Sequence, residues 1–378
     1  MTPTQVVGAA VGAFGRRSEG LVDLLAEVGS RALEEVGRRP VDLLVVGNMA
    51  GSVLGGVENV APKVAARLGL EGTAALRVDG ASASGAAAFH AAVWAVASGQ
   101  HDRALVVAGE KMTGLPNAEV GAILSHSLAA EEQSVGATML ALAALVAECY
   151  RTRHGADPAA FDAVSVAART AAAQNPNAQF RTPVTAEEVR QSRPVASPLR
   201  LLHASAISDG AAAVVIERGE GAATVAGLGQ AVDTVSVADR IEATTFRATR
   251  LAAQRAYGQA RWTRKDLDFA ELHDAFAPFA LIDLEDIGAC GSGEAGRWFL
   301  DGWTRPDGRF PVNPSGGILG RGHPVGASGL AQIAEVVRQL SGTAGPLAIA
   351  GPARRALTQS IGGLGAHVFV TLLGRNGG

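Results

Sequence analysis

Aromatic side chains make up only 4% of the 378 residues, too few to build stacking platforms for nucleic-acid bases. Lysine is scarcer still. Of 33 basic residues only Lys63, Lys111 and Lys265 are lysine, and the formal net charge is −3. No basic surface therefore speaks for a nucleic-acid partner. Charged residues are just 18% of the chain while hydrophobic ones are 48%, which excludes a disordered polypeptide. The two cysteines, Cys149 and Cys290, are too few and too far apart for a disulfide framework or a thiolate metal site. Long apolar runs are missing as well. Ala81–Ser98 is broken by small residues and His90, Ala137–Glu148 is too short to span a bilayer, and Met1–Arg17 has no basic segment ahead of its apolar residues. No membrane association and no metal are expected, and a reducing, cytoplasmic location is. P-loop and dinucleotide-binding spacings are absent too.

Glycine, by contrast, is abundant, with 47 residues, and the chain alternates strand-length apolar runs with long Ala/Leu helical runs. Val41–Gly47, Arg103–Gly109, Ala211–Ile216, Leu267–Ala270 and His367–Leu373 read as strands. Leu21–Val36, Gly85–Ser98, Thr138–His154, Ala159–Gln174 and Ala327–Leu340 read as helices. This alternation predicts an α/β fold around a buried sheet. A faint repeat accompanies it. Ser82-Ala83-Ser84-Gly85 and Gly326-Ala327-Ser328-Gly329 each open an apolar helix, 244 positions apart, and strand-like runs follow at Arg103–Ala108 and Pro346–Ala350. Two similar halves in one chain are the expectation. Thr113–Arg200, more polar and holding two long helices, reads as an insertion covering a ligand pocket. A mean hydropathy of +0.18 points to extensive burial, including burial in an oligomer.

Four segments carry candidate chemistry. In Asn313–Gly329 (NPSGGILGRGHPVGASG) glycines allow close backbone approach, and His323 is held between Gly322 and Pro324 ahead of a helix whose N–H groups favour negative charge. His273 and Asp274 follow a strand, at the carboxyl end where open α/β sheets bind ligands; the alternative is an N-capping Asp beside a buried His. Ser82 and Ser84 sit on a strand–turn–helix of small residues, as a nucleophile or as plain N-cap serines. Gln359-Ser360-Ile361-Gly362-Gly363 reads as a glycine turn before the last strand. Ser205 and Asp209 are loop residues before Ala211–Ile216.

In this order and spacing the segments resemble the thiolase superfamily over nearly the whole chain. The block around His323 is similar to the family's most specific motif. Glu271–Phe276, together with Pro198–Leu201 and Ser208-Asp209-Gly210, resembles the sterol-carrier-protein-type branch. The resemblance implies a duplicated five-layer α-β-α-β-α fold with a covering loop domain. Residues 1–112 and 201–225 would form the amino-terminal half, 113–200 the loop insertion and 226–378 the carboxy-terminal half. It also implies an acyltransferase of lipid metabolism, of acetyl-CoA acetyltransferase or 3-ketoacyl-CoA thiolase type. Coenzyme A thioesters would be its substrates, with no tightly bound cofactor. The acyl-carrying cysteine falls on Ser82, the histidine of the His-Pro block, an oxyanion donor or a base, on His323, the asparagine or histidine that helps bind an oxyanion through water on His273, and a second cysteine on Ser360. Ser205, Gly322, Gly362 and Gly363 would contact substrate. Both catalytic sulfurs are thus replaced, and the branch's alternative cysteine position is Ala275. The resemblance leaves a CoA-dependent retro-aldolase, or a non-catalytic acyl-CoA-binding subunit, as alternatives, each working with an OB-fold, zinc-ribbon partner. It also implies a homodimer or dimer of dimers, with Val46–Gly56 at the interface.

Overall fold

The computed structural model describes residues 4–375. Residues 1–3 of the first expected segment and 376–378 of the last lie outside the described residues. The amino-terminal part runs β1 (Thr4–Val11), α1 (Leu21–Glu35), β2 (Leu43–Gly47), α2 (Gly51–Gly55), α3 (Val60–Leu68), β3 (Ala74–Val78), α4 (Ser84–Ala97) and β4 (Arg103–Glu110). Next come α5 (Asn117–Ser125), α6 (Ala130–Ser134), α7 (Met139–His154), α8 (Ala159–Ala172), α9 (Ala186–Gln191) and the small hairpin β5 (Pro194–Ala196) and β6 (Leu199–Arg200). The chain then rejoins the sheet with β7 (Gly210–Arg218) and β8 (Ala223–Val232). It continues through α10 (Arg247–Ala260), β9 (Phe269–Glu271), α11 (Ala277–Asp286), α12 (Ala295–Leu300), α13 (Gly317–Arg321), α14 (Ser328–Ser341), β10 (Arg355–Gly362) and β11 (His367–Gly374).

The strands lie in the order β3-β2-β4-β7-β1-β8-β11-β10-β9. Only two residue pairs, Gln5–Thr224 and Val6–Ala223, join the two halves at the β1–β8 seam. The repeat shows in the pairing. β2 is parallel to β3 on one side, and β9 meets Val312 in a single parallel bridge at Ala270 on the other. Each of these neighbours leads on to a helix of the central layer, α4 or α14. Layering follows from the two-residue period of the strands. In β4, Ala104, Val106 and Ala108 pack on α4 and α14, while Leu105 and Val107 pack on α1 and α3. On the far side β10 and β11 are covered by α10 and α11. Five layers result, α1/α3, sheet, α4/α14, sheet, α10/α11: the duplicated α-β-α-β-α arrangement.

The two central helices cross near their first turns, and the crossing requires glycine. A Cβ on Gly85 would sit 2.8 Å from both the Gly326 carbonyl oxygen and the Leu330 nitrogen. A Cβ on Gly329 would sit 3.0 Å from the Ala86 nitrogen and 2.7 Å from Ser360 Oγ. Those glycines occupy equivalent positions of the repeat read from sequence.

Three local expectations need correcting. Pro346–Ala350 is not a strand: a 3-10 turn covers Gly345–Leu347, where Pro346 has no N–H to give a ladder, and the strand is β10. Ser360 therefore lies inside a strand rather than in a turn, fully paired against Phe369. Val46–Gly56 is not a surface segment throughout: Val46, Asn48, Ala50 and Leu54 are buried within the chain, and Val53 stands out at 57% exposure. Between β4 and β7 the two expected long helices are present as α7 and α8, accompanied by the short helices α5, α6 and α9.

Candidate active site

One cavity of about 230 Å³ lies between the halves, with Ser82, Ser205, His273, His323 and Gly363 all in its wall. Residues of α5, of the α5–α6 loop and of the start of α7 (Gly121, Leu124, Ser127, Met139, Leu140) form another part of that wall. All five belong to the segment between β4 and β7. Ser360, Gly322 and Gly362 are not part of the wall, and neither cysteine is.

Ser82 owes its position to a strained turn. Ala81 has φ +53°, a left-handed conformation that costs a residue with a Cβ about 1 kcal/mol and clusters at functional sites. Asp79 Oδ1 accepts from the Ala81 N–H at 2.8 Å. Ser84 Oγ donates to the Ala81 carbonyl at 2.6 Å and accepts from the Gly80 N–H at 3.0 Å. Ser84 is thus the fastener of this turn, and Ser82 is left facing the cavity just ahead of α4. Gly362 has no Cβ because one would collide with the Gly80 carbonyl; its service is to let β10 abut this turn. Gly322, φ +108°, allows a close approach to Ser208 and Gln179.

His323 follows α13 and precedes α14. Its backbone N–H donates to Ser208 Oγ at 2.9 Å, and its Nδ1 lies 2.8 Å from Ser328 Oγ. His273 leaves β9 with its N–H donated to Gln359 Oε1 at 2.9 Å. The two imidazoles stand nearly perpendicular, 80° apart in plane, with centroids at 5.2 Å. Burial pushes His323 down to about 3, and the adjacent Arg321 guanidinium adds to the effect. His273 is pushed well below the ordinary range, by burial first and by His323 second. Both rings are therefore neutral at physiological pH. Neutral imidazoles near a helix N-terminus can polarise a carbonyl without themselves becoming cations.

The flanking polar residues hold the loops together. Asp274 Oδ1 accepts from the Ile318 N–H at 2.6 Å, and Asn313 Oδ1 accepts from the Leu272 N–H at 2.6 Å. Glu271 accepts from both the N–H and the hydroxyl of Ser315. Asp209 gathers Lys111 Nζ, the Thr113 hydroxyl and the N–H groups of Arg17, Met112 and Thr113. Ser360 Oγ is buried with no hydrogen-bond partner, against Gly329. The wall also holds groups the sequence reading passed over: Met49, Met112, Met139, Phe276 and Phe279. Their signal lay in rarity, since the chain has only four methionines. Among the described residues no group of three or more His, Cys, Asp or Glu side chains could hold a metal ion, and no helix is long and apolar enough to cross a membrane.

Behind the wall, Glu110 is fully buried. It accepts N–H bonds from Asn48, Met49 and Ala50, yet burial outweighs them and raises its carboxyl to about 7. A carboxyl whose folded value lies above its unfolded one binds its proton more tightly in the folded state. Its stabilising contribution is complete below the unfolded value and is lost as pH rises through the folded one. Raising pH from 6.5 to 8 should therefore cost about 1 kcal/mol at this group. Denaturant titrations of wild type and Glu110→Gln should differ by that slope, and identical slopes would show that Glu110 is already ionised.

The family model described as the thiolase N-terminal domain matches residues 4–220, and the thiolase C-terminal domain-like model matches residues 229–375. The chain belongs to the thiolase superfamily. This thiolase is 38% identical to the acetyl-CoA acetyltransferase of Methanothermobacter thermautotrophicus, over 99% of this chain and all of that one. It is 30% identical to sterol carrier protein 2 of Gallus gallus, over 97% of this chain and 71% of that protein, in keeping with the branch read from Glu271–Phe276. Among solved structures, a chain of the Ltp2-ChsH2(DUF35) aldolase superimposes with a TM-score of 0.87 at 26% identity, covering 100% of this chain and 99% of the other. With relatives of this kind along its full length, the chain is an enzyme of the thiolase type.

Proposed function

We propose that this thiolase is an acyltransferase acting on acyl-CoA thioesters, of the acetyl-CoA acetyltransferase or 3-ketoacyl-CoA thiolase type. The observation that carries the reading is the convergence of Ser82, His273 and His323 on one cavity, beside the N-termini of α4 and α14. Ser82 Oγ attacks the thioester carbon. The O–C bond forms, the C–S bond breaks, and coenzyme A leaves as the thiol, its sulfur taking the serine proton. The acyl acceptor then takes the group from Ser82 and restores the hydroxyl. In the tautomer in which Nδ1 of His323 accepts a hydrogen bond from the Ser328 hydroxyl, Nε2 of that ring carries an N–H for the developing oxyanion. Intact-protein mass spectrometry after incubation with acetyl-CoA should show a one-acetyl mass increase that Ser82→Ala abolishes.

Retro-aldol cleavage of a β-hydroxyacyl-CoA is the second reading. Two observations favour it: no thiol borders the cavity, and the aldolase chain superimposes at 0.87. There the Cα–Cβ bond breaks and its electrons pass to the thioester enolate, which the neutral histidines stabilise. A base takes the β-hydroxyl proton, and the enolate is reprotonated at Cα. An OB-fold, zinc-ribbon partner belongs to this reading. No acyl adduct, with full lyase turnover by Ser82→Ala, would decide for it.

The organisation into halves 1–112 with 201–225 and 226–378, separated by the 113–200 insertion, is part of the same proposal. Its support is that β4 and β7 are sheet neighbours while everything between them lies off the main sheet. A homodimer is proposed too. β3 is an edge strand, paired only with β2, and Ala74–Arg77 are exposed along it; such an edge is a template for pairing. Light scattering should give twice the 38.4 kDa chain mass, and a stable monomer at micromolar concentration would overturn this. A cytoplasmic place in lipid metabolism accords with the two unpaired cysteines.

A further inference from the structure

We infer that the cavity selects acyl groups with a bulky apolar substituent, roughly the size of a phenyl ring or a six- to eight-carbon chain, over acetyl. The inference rests on the acyl-CoA reading above and names the substrate class within it. Apart from Met1, the methionines of the chain are Met49, Met112 and Met139, and all three line this cavity. They arrive from separate elements: Met49 follows β2, Met112 follows β4, and Met139 opens α7. The two cores flanking the amino-terminal sheet contain no methionine. General gap-filling would have placed some there. Unbranched, polarizable side chains gathered at one cavity are suited to an apolar ligand of irregular shape.

The rest of the wall agrees. On one side Met112 and Val325 form a small apolar cluster of their own, with Met49 and Leu124 against it. Another side is set by Phe276 and Phe279, edge to face at 5.2 Å between centroids. Ala275 adds a methyl group to the same wall. An apolar cavity of about 150 Å³ holds benzene, and this one measures about 230 Å³. An acetyl group would leave most of that wall without contact atoms. The covering helix α5 is itself lightly held, with Val120 its one fully buried residue, so it can adapt to the occupant.

Calorimetric titration of the full chain with coenzyme A, acetyl-CoA, octanoyl-CoA and 3-phenylpropanoyl-CoA tests this. Each buried methylene tightens binding about fourfold, so even partial burial should give the two larger thioesters a Kd at least tenfold below that of acetyl-CoA. Leu140→Trp, which fills the cavity, should bring that ratio below threefold. Equal affinity for all three thioesters would overturn the inference and leave the acyl-CoA reading standing. A tenfold preference that survives in Leu140→Trp would also overturn it, by placing the chain elsewhere. Failure of coenzyme A and every thioester to bind would instead overturn the reading on which it rests. Should Leu140→Trp not fold, Met139→Ala serves: a wider cavity should move the tightest-binding straight chain beyond octanoyl, and an unmoved optimum counts against the assignment.

Discussion

Replacing Gly85 by alanine is expected to destabilise the protein by about 3 kcal/mol and to lower turnover with it. The added methyl would meet two backbone atoms of the opposite half, the Gly326 oxygen and the Leu330 nitrogen, at 2.8 Å each. Backbone cannot rotate out of the way as a side chain can, so α4 and α14 must separate. Ser328, the first residue of α14, moves with it, and His323 Nδ1 is held at 2.8 Å from Ser328 Oγ. The change therefore reaches catalysis without touching a reacting group. Gly258→Ala is the matched control. It too lies within a helix, but a Cβ there meets nothing within 4 Å, and alanine should be neutral or stabilising by up to about 1 kcal/mol. Thermal melts of the two variants against wild type decide the matter. Equal melting temperatures would show that the helices have slack at their crossing.

His323→Ala should lower kcat/KM by about 10³-fold. This holds for the acyl-transfer and the retro-aldol reading alike, because each develops negative charge on the thioester oxygen. His323 thus tests the site, while Ser82 tests the mechanism. His273→Ala should cost about 10²-fold, and the double variant should fall well short of the product, since groups that act as a unit are not additive. Because both rings are neutral through the physiological range, the wild-type rate should show no histidine inflection between pH 6 and 8. A His323→Ala enzyme with wild-type kinetics would remove this cavity from the reaction.

The repeat was legible because the helix crossing forces the same small residues on both halves: Ala-Ser-Gly around Gly85 and Gly329 cannot be enlarged. The site histidines were legible for a related reason, as loops tightly packed against one another leave glycine-rich text. Other features left weaker traces. β1 and β8 are built largely of alanine, valine and glycine, and pair at a seam only two residue pairs long; nothing in their composition sets them apart from the helices. β10 was sought too early because Pro346–Ala350 is apolar, whereas its proline and the turn at Gly345 keep it out of the sheet. Ser360 was drawn toward the cavity by motif position, but strand register turns its hydroxyl against Gly329. The apolar half of the wall could not be assembled from sequence at all. Its members come from loops and helix ends that only the fold brings together.

The gathering of Met49, Met112 and Met139 around one space gives the protein an unplanned set of spectroscopic probes. With isotope only in the methionine methyl groups, the spectrum of an otherwise silent 38.4 kDa chain would reduce to a handful of lines. Three of them would come from the wall of the cavity. Every thioester, inhibitor or partner that alters the cavity would be seen there directly, without introducing a label that the chain does not already carry.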